Sequence, residues 1–369
     1  MRISLLEERE DFDKILKTTL EETTFFKNRK GLKEEKYFIN KYLNFIATNT
    51  LSGDVFQTLI NEYSSSLTWW KKGIQFIYVN LATSKSFRSI FAQRNIKLSE
   101  DFKEYLILGG NHRLRLFYGE LKDSIVILKS GESQKFIEND IAIRTENNLS
   151  YAPQIFDSEN DWLREEYFNG IPFNRLESEE KQVDLQKVII SNHLEELLVP
   201  TSKDVPLKDY IQLVEKEIFS LLSNEKIKVK KEVSTLIKKV FDTLFTKLSS
   251  ETVKTSWSHG DFQAANILVS EGSYKVIDWE ASNKRFYLYD VFTFLSQIRS
   301  NISLTSAIDT FKKTSIKFEK TDSGAKDKII LLLIEELRFN MNEEFSENFY
   351  FSGQKTEKLC HSITSYIHD

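Results

Sequence analysis

Cysteine, proline and glycine are scarce in this chain of 369 residues, and each scarcity excludes a class of protein. The one cysteine, Cys360, cannot form a disulfide within the chain or build a cysteine-ligated zinc site. Twelve glycines and four prolines leave little sequence for flexible linkers or low-complexity segments. We therefore expect a globular protein suited to a reducing compartment, and we predict that it is cytoplasmic.

Long apolar runs and an excess of positive charge are also lacking. No stretch approaches the ~20 apolar residues that a membrane-spanning helix needs, and the apolar run near the start is too short for a signal peptide. The formal net charge of −4 argues against a general nucleic-acid binder. Neither a nucleic acid nor a membrane span is therefore expected, and the sequence carries no signal of an oligomeric state.

Residues 1–100 are predicted to be a helical N-terminal extension. Apolar residues between Phe38 and Ile46 recur at three- and four-residue spacing, which predicts one apolar stripe along a helix. Trp69 and Trp70 have two interpretations, contact with a membrane surface or glycan, and packing against a neighbouring part of the protein. We favour packing, because large aromatic side chains are usually well buried.

Beyond residue 100 the pattern changes to the alternation that is typical of strands. Three short runs separated by turn residues predict an antiparallel meander, which a helix and two further strands follow. The ranges are 104–110, 113–118 and 124–129 for the meander, 134–146 for the helix, and 153–156 and 162–168 for the last strands. Helical spacing then resumes, with a β-rich interruption at 266–278. The sequence thus predicts a small β-rich lobe over residues 101–172 and a larger helical lobe over residues 173–369.

Acidic and amide side chains stand at the ends of predicted strands. The stretch from Ser256 to Glu280 carries Asp261, Asn266 and Asp278 among small and apolar residues. Phosphoryl transfer from ATP to a hydroxyl needs such groups, because magnesium prefers oxygen ligands and a carboxylate must orient the attacking hydroxyl. Asn266 and Asp278 are suitable magnesium ligands. Asp261 is a carboxylate that can accept a hydrogen bond from the substrate hydroxyl.

These residues also carry a resemblance to a known family. Three motifs, H-G-D-F-Q-A-A-N from His259 to Asn266, V-I-D-W-E ending at Glu280 and Y-D-V from Tyr289, resemble those of the aminoglycoside phosphotransferase and choline kinase-like family. The resemblance implies an α+β, bilobal protein-kinase-like fold, with a β-rich N-lobe and a mainly helical C-lobe. It places the catalytic loop within residues 257–280.

The resemblance implies a role for each motif residue. Asp261 corresponds to the catalytic carboxylate of the family. Asn266 and Asp278 correspond to its magnesium ligands. His259 and Asp290 correspond to supporting residues, and the aspartate of the Y-D-V element braces the catalytic loop.

In the small lobe the resemblance assigns the groups that bind the ATP phosphates. Lys129, at the end of the third strand, corresponds to the lysine that pairs with the phosphates, and Glu138 on the next helix corresponds to its partner. Gly109 and Gly110 lie between the first two strands, where a loop would cover the phosphates, although they do not form a G-x-G-x-x-G pattern. His112 could touch phosphate, but we favour a solvated loop histidine.

The segment from Glu166 to Gly170 resembles the hinge of the family. Its backbone groups at Glu166 and Phe168 are expected to contact the edge of the adenine ring. The cofactors implied are ATP and Mg²⁺, and the preference for ATP over GTP stays open. No Walker motif, G-x-S-x-G elbow or H-E-x-x-H pattern points to another chemistry.

The predicted function is transfer of the γ-phosphate from Mg-ATP to a hydroxyl of a small molecule. A sugar or glycan is the favoured acceptor, because residues 1–100 exceed what a small-molecule kinase usually needs. An aminoglycoside or a choline-like amino alcohol is the next choice. A nucleotide-binding pseudokinase or interaction protein is the alternative from another class, which the presence of all the required residues disfavours. A protein-directed kinase lacks support, since no A-P-E segment follows Asp278.

Glutamates near the C-terminus have two interpretations. They could grip a cationic acceptor, or they could form a solvated helix face, which we favour because glutamate is an ordinary helix former. Phe339 and aromatic residues after it could stack on a sugar ring or an ammonium group, or could be core. The acidic set is Glu335, Glu336, Glu343, Glu344 and Glu347.

Overall fold

The chain forms two compact units, Met1–Asp184 with Ala265–Glu280, and Leu185–Ala264 with Ala281–Asp369. The structure is a computed structural model, and each unit is described by itself. It describes residues 12–26, 33–51, 53–63, 69–110, 112–119, 121–176, 178–223, 231–247, 251–299, 303–315, 325–347 and 354–368.

An eight-stranded antiparallel sheet is the main element of the first unit, in the order β3-β1-β2-β4-β5-β6-β8-β7. Side chains alternate between its two faces, as the period of a strand requires. Leu114 and Leu116 therefore join the core on one face, whereas Phe117 joins the core on the other. The strands are β1 Glu34–Asn40, β2 Phe45–Ala47, β3 Arg94–Ser99, β4 Tyr105–Gly109, β5 Arg113–Tyr118, β6 Asp123–Leu128, β7 Ile155–Ser158 and β8 Trp162–Glu166.

Helices cover both faces of this sheet. The first helix buries Phe12, Leu16 and Leu20, which recur every four residues, in the same core as Ile125 and Ile127 of β6. The fifth helix packs on the opposite face, against Val126 and Leu128 of the same strand. The helices are α1 Phe12–Glu22, α2 Gln57–Tyr63, α3 Trp69–Thr83, α4 Arg88–Phe91 and α5 Lys135–Asn147.

The prediction of a helical extension over residues 1–100 is wrong in part, because β1, β2 and β3 lie within it. β1 lies between β2 and β3, and its residues Tyr37 to Asn40 are all buried. A strand that is buried on both faces reads as a continuous apolar run, which periodicity cannot separate from a helix. The domain boundaries at residues 100 and 172 stay predictions.

The tryptophan pair lies at the start of α3. Trp70 is 49% exposed, so the interpretation that it packs against a neighbour is wrong for this side chain. The side chain of Trp69 lies outside the described part of the structure.

A second, three-stranded sheet of the first unit confirms the β-rich interruption at 266–278. Its order is β13-β12-β9, where β9 is Ile171–Pro172, β12 is Ile267–Ser270 and β13 is Ser273–Val276. β12 and β13 form a hairpin that pairs Ile267 with Val276. Gly272 has a φ of +73° in its turn, a backbone conformation that favours glycine.

The second unit is mainly helical, as predicted. In its helix α7 (Leu207–Leu222), Leu207, Tyr210, Ile211, Val214 and Ile218 form one buried stripe at helical spacing. The other helices are α6 Glu179–His193, whose C-terminal part belongs to this unit, α8 Lys231–Lys247, α9 Tyr289–Ser296, α10 Leu304–Ser315, α11 Ala325–Glu347 and α12 Gln354–His368. The strands β10 Lys203–Pro206, β11 Thr252–Ser258 and β14 Asn283–Phe286 form a small sheet. None of the described helices has the length and apolar character needed to cross a membrane.

Candidate active site

A cavity of about 940 Å³ lies in the first unit. Its walls come from β4, β5 and β6, from residues 166–172, and from the β12–β13 hairpin. Val126, Phe117 and Leu268 give it apolar surface, while Arg113 and Asp278 bring charge. A mainly apolar cavity with a few convergent polar groups is typical of a small-molecule site.

The β12–β13 hairpin brings together the two predicted magnesium ligands. Asn266 directly precedes β12 and Asp278 follows β13 by two residues. The backbone N–H of Ile277 donates to the carbonyl of Asn266 at 2.9 Å, which continues the pairing toward these side chains. Asp278 has a φ of +69°, a left-handed conformation that costs a non-glycine residue free energy and often marks a functional site.

Asn266 and Asp278 fit a magnesium ion by their chemistry. Both supply oxygen donors, and the Asp278 side chain is 42% exposed. Among the described residues, no group of three or more His, Cys, Asp or Glu side chains is arranged to hold a metal ion. Magnesium bound through one or two protein oxygens together with substrate phosphates does not require such a group.

Neither residue of the predicted phosphate pair, Lys129 and Glu138, lines the cavity. Lys129 is buried, and its Nζ donates to the carbonyl of Gly110 at 2.6 Å. It lines a separate small pocket beside Phe12 and Leu16 of α1, on the opposite face of the sheet. Glu138 is exposed on α5.

Arg113, which sequence reasoning missed, lies at the cavity instead. Its Nε donates to Glu280 at 3.0 Å and its Nη2 to Asp278 at 3.2 Å, and Nη1 pairs with Asp140 of α5. Burial alone would lower the pKa of Arg113, but the charges of Asp140, Glu280 and Asp278 raise it above its ordinary value. Asp140 also pairs with Arg144 at 2.6 Å, so the cluster continues into α5.

The glycines predicted to cover the phosphates do line the cavity. Gly109 ends β4 and Gly110 follows it, and the N–H of Gly110 donates to the carbonyl of Arg113, the first residue of β5, at 2.8 Å. A Cβ at Gly110 would lie 2.9 Å from that carbonyl oxygen, so this close approach favours glycine at residue 110. The solvated histidine predicted at residue 112 is wrong, because His112 is buried and stacks on Phe136 with ring centroids 3.6 Å apart.

Glu166 and Phe168 also line the cavity. The backbone N–H of Glu166 donates to Gln154 at 2.8 Å, and that of Tyr167 donates to Lys122 at 3.0 Å. Gly170 approaches the hairpin so closely that a Cβ would lie 3.0 Å from the Cβ of Leu268. The expected contacts with adenine stay predictions.

In the second unit, Asp290 lies beneath the H-G-D stretch and is fully buried. Its carboxylate accepts hydrogen bonds from the backbone N–H of His259 at 2.7 Å and of Gly260 at 3.0 Å. The Ser258 hydroxyl donates to it at 2.7 Å and His193 Nε2 at 2.8 Å. Burial alone would raise the pKa of Asp290, but these hydrogen bonds and the nearby histidine charge lower it to about 2.

Asp261 is held within the second unit by two side chains. Gln263 Nε2 donates to both carboxylate oxygens at 3.0 Å, and Arg299 forms an ion pair with Oδ1. The backbone N–H of Asp261 donates to His259 Nδ1 at 3.2 Å, which makes this nitrogen an acceptor. Arg299 also donates to the carbonyl of Gly260 at 2.8 Å. No motif identifies Arg299 in the sequence, since it follows α9 at a position with no spacing signal.

The glutamates on α11 are not a solvated face where their side chains are described. Glu335 is fully buried, and it accepts from Arg285 at 2.9 Å and from the backbone of Phe286 at 3.1 Å. Glu336 is also buried and accepts from the Tyr289 hydroxyl at 2.8 Å. The interpretation as a solvated helix face is therefore wrong for these two residues. The side chains of Glu343, Glu344 and Glu347 lie outside the described part of the structure.

The chain is similar to solved structures of known proteins. The chain is similar to a thermostable mutant of the aminoglycoside phosphotransferase APH(4)-Ia in complex with AMP-PNP and hygromycin B, with a TM-score of 0.50 and 14% identity over 72% of this chain and 94% of that one. The gentamicin complex of APH(2")-IIa has a TM-score of 0.45, with 15% identity over 70% of this chain and 89% of that one. A choline/ethanolamine kinase family protein from Mesorhizobium loti has a TM-score of 0.45, with 10% identity over 72% and 88%.

Sequence comparison adds nothing to these similarities, because neither protein-family models nor curated protein sequences match the chain. At 14% identity the similarity to the APH(4)-Ia mutant shows the fold alone. It agrees with the antiparallel sheet of the first unit and the helices of the second. The chain therefore has the α+β, protein-kinase-like fold that its motifs predicted, which it shares with the aminoglycoside phosphotransferase APH(4)-Ia.

Proposed function

We propose that the protein transfers the γ-phosphate of Mg-ATP to a hydroxyl group of a small molecule. The observation that carries this proposal is the cavity of about 940 Å³, into which the hinge-like residues 166–172 and the hairpin with Asp278 both project. Its volume and largely apolar lining are those of a site for a drug-sized ligand. The nucleoside is proposed to lie against Val126 and Leu268.

Asn266 and Asp278 are the residues proposed to hold magnesium beside the phosphates. The ion would neutralise charge on the transferred phosphoryl group. The neighbouring Arg113 adds a fixed positive charge at the same end of the cavity. Protein charges that are already in position before the reaction stabilise the transition state without reorganisation.

Asp261 is proposed as the carboxylate that orients the acceptor. The acceptor oxygen forms a bond to the γ-phosphorus, the bond from this phosphorus to the β-γ bridging oxygen breaks, and ADP leaves. The hydroxyl proton passes to Asp261. What supports this role is the H-G-D-F-Q-A-A-N motif and the firm anchoring of the carboxylate by Gln263.

A sugar or glycan hydroxyl is the proposed acceptor, with an aminoglycoside or a choline-like amino alcohol as the next choices. The similar APH proteins are described in complexes with hygromycin B and gentamicin. An aminoglycoside carries sugar hydroxyls and also cationic amines. A panel that includes neutral sugars and their amino derivatives therefore separates the choices.

A nucleotide-binding pseudokinase is the second candidate, and one observation favours it. Lys129, the lysine assigned to the phosphates from the sequence, is not among the residues that line the cavity, and its Nζ donates to the carbonyl of Gly110 instead. Loss of a phosphate-binding cation is a common way to lose phosphoryl transfer while nucleotide binding survives. The two candidates differ in whether another cation replaces Lys129.

Transfer of labelled γ-phosphate to a panel of sugars, oligosaccharides, aminoglycosides and amino alcohols tests the proposal. We expect one class to become labelled, and we expect Asp261→Asn to lower the rate by about 100-fold or more while nucleotide affinity stays within about twofold. Labelled inorganic phosphate measured in parallel reports hydrolysis without an acceptor. Nucleotide binding with no transfer and no hydrolysis would support the pseudokinase instead.

A further inference from the structure

The two faces of β6 decide which side chain of this strand can reach a nucleotide. Ile125 and Ile127 point into the core that contains α1. Val126 and Leu128 point to the opposite face, toward α5, and Val126 lines the cavity. Since alternate residues of a strand share a face, the next residue of β6 after Val126 on the cavity face is Leu128.

Lys129 follows the α1 side of this alternation. It lines the small pocket that Phe12, Ile15 and Leu16 also line. The backbone N–H of the next residue, Ser130, donates a hydrogen bond to the Thr19 hydroxyl oxygen of α1 at 2.9 Å. These contacts hold Lys129 on the α1 side of β6, where its Nζ donates to the carbonyl of Gly110 at 2.6 Å and the residue does not line the cavity.

Arg113 is the residue that stands opposite Leu128 on the neighbouring strand. The antiparallel register pairs these two residues directly, and Arg115 likewise pairs with Val126. Directly opposed residues point to the same face of a sheet. Arg113 consequently presents its guanidinium on the cavity face, at the place where the side chain of residue 128 is apolar.

The contacts of Arg113 join the helix, the hairpin and the cavity. One guanidinium spans Asp140 of α5 and both Asp278 and Glu280 beyond β13, with distances of 3.2 Å to Asp278 and 3.0 Å to Glu280. A planar guanidinium offers donors in a fixed fork, keeps its charge at any physiological pH and suits phosphate oxygens. Its position beside Asp278 places this charge at the proposed magnesium ligand.

The other cations described at the cavity are engaged differently. Arg115 pairs with the buried Glu165 at 2.9 Å, near the start of the hinge-like segment. Lys72 is an exposed residue of α3. Of the three described cations that line the cavity, Arg113 is the one that contacts Asp278.

We propose that Arg113 on β5, held by Asp140 on α5, is the cation that binds the nucleotide phosphates in this protein, in place of Lys129 and Glu138. This inference rests on the proposed function, since it assumes that the cavity takes a nucleotide. Under this inference Arg113 replaces Lys129 as the phosphate-binding cation. Without such a replacement the pseudokinase would be favoured. It also explains why Glu138 is exposed whereas Asp140 is buried two residues later.

Matched substitutions of cation to amide test the inference without any turnover. Arg113→Gln and Lys129→Gln are compared with the wild type by calorimetric titration with Mg-AMP-PNP and, separately, with adenosine, which has no phosphate. We expect Arg113→Gln to weaken AMP-PNP binding by about tenfold or more, because a charge-assisted phosphate contact is lost, while adenosine affinity stays within about twofold. Lys129→Gln should leave both affinities within about twofold.

Arg113→Gln leaves buried carboxylates beside a neutral group and could therefore impair folding. A second variant, in which the side chains of two paired residues are swapped between β5 and β6, controls for this effect. The double variant Arg113→Leu with Leu128→Arg moves the guanidinium to the directly opposed position on the same face. We expect it to recover AMP-PNP affinity to within about threefold of the wild type. Thermal unfolding of each variant without ligand reports folding independently.

Three results would overturn the inference. Equal losses of AMP-PNP and adenosine affinity in a folded Arg113→Gln variant would mean that Arg113 only supports the structure. A selective loss of AMP-PNP affinity in Lys129→Gln would return the role to Lys129. A wild type that binds neither AMP-PNP nor adenosine would remove the proposed function itself, and the inference with it.

Discussion

Two aspartates of the sequence motifs, Asp290 and Asp278, have opposite surroundings. Asp290 in the second unit is fully buried, and four protein donors fill its oxygens. Asp278 in the first unit is 42% exposed at the edge of a cavity and has a strained backbone with a φ of +69°. Asp278 follows strand β13 and Asp290 lies in the first turn of α9, and of the two carboxylates Asp278 is the one at a cavity that a ligand can enter.

The difference in burial and hydrogen bonding separates a carboxylate that stabilises the fold from one that can bind a ligand. A buried carboxylate whose hydrogen bonds all come from its own chain stabilises that chain, and it has little left to offer a ligand. A partly exposed carboxylate in a strained position beside a cation has the features of a ligand site. Asp290 is thus expected to control stability, and Asp278 is expected to control nucleotide binding.

The largest expected effect on stability is that of Asp290→Ala. Removing this carboxylate leaves two backbone N–H groups, a hydroxyl and His193 without their buried partner. We expect the free energy of unfolding to fall by about 3–5 kcal/mol, measured by urea denaturation. A loss below about 1 kcal/mol would contradict the support role.

The next effect is that of Gly260→Ala, with Gly272→Ala as its matched control. Both glycines have positive φ, +81° and +73°, but a Cβ at Gly260 would lie 2.2 Å from the Ala281 carbonyl oxygen, whereas one at Gly272 meets nothing within 4 Å. We expect Gly272→Ala to cost about 1 kcal/mol and Gly260→Ala about 3 kcal/mol or more. Equal costs in urea denaturation would show that the loop shifts freely around Gly260.

The stability at low pH gives a further test of the role of Asp290, because its pKa in the folded protein is about 2, below its ordinary value of 3.8. Its ionised form is the one that the fold stabilises, so this contribution is complete above about pH 4 and is lost as the pH falls toward 2. The shift corresponds to roughly 2 kcal/mol. Urea denaturation of the wild type and Asp290→Asn between pH 6 and pH 2 measures it. A wild type and variant that lose stability in parallel would contradict the assignment.

The smallest expected effect on stability is that of Asp278→Asn. This side chain is partly exposed and pairs with Arg113, which retains Asp140 and Glu280 as partners. We expect the free energy of unfolding to change by less than about 1 kcal/mol, in contrast to Asp290. A larger loss in urea denaturation would make Asp278 a structural residue as well.

Sequence reasoning reached the motif residues because they follow one another along the chain. Asn266 and Asp278 flank the β12–β13 hairpin, whose turn has two residues, so their proximity follows from local strand pairing. The assignment of Lys129 depends on the face of one strand, and a shift by one residue exchanges Lys129 for Leu128. No sequence period reveals this choice, because β6 is apolar on both faces. Arg113 was missed for the same reason, since its role arises from a cross-strand register.

The strands before residue 100 were missed for a related physical reason. Residues 37–40 of β1 and all of β2 are buried, so these short, mainly apolar runs do not alternate, and periodicity cannot separate such runs from a helix. For Glu335 and Glu336 the error is the opposite one, because polar residues that were predicted to be solvated are buried. Glutamate on a helix predicts a solvated face, and only the tertiary partners Arg285 and Tyr289 explain why these two are buried.

The central claim is that the cavity beside Asp278 binds a magnesium nucleotide. Thermal unfolding of the wild type and Asp278→Ala, each with and without Mg-ATP, tests it most directly. At 100 times its dissociation constant a ligand stabilises by about 2.7 kcal/mol, which shifts the unfolding temperature by several degrees. The account predicts a magnesium-dependent shift in the wild type that Asp278→Ala loses. An undiminished shift in Asp278→Ala would contradict it.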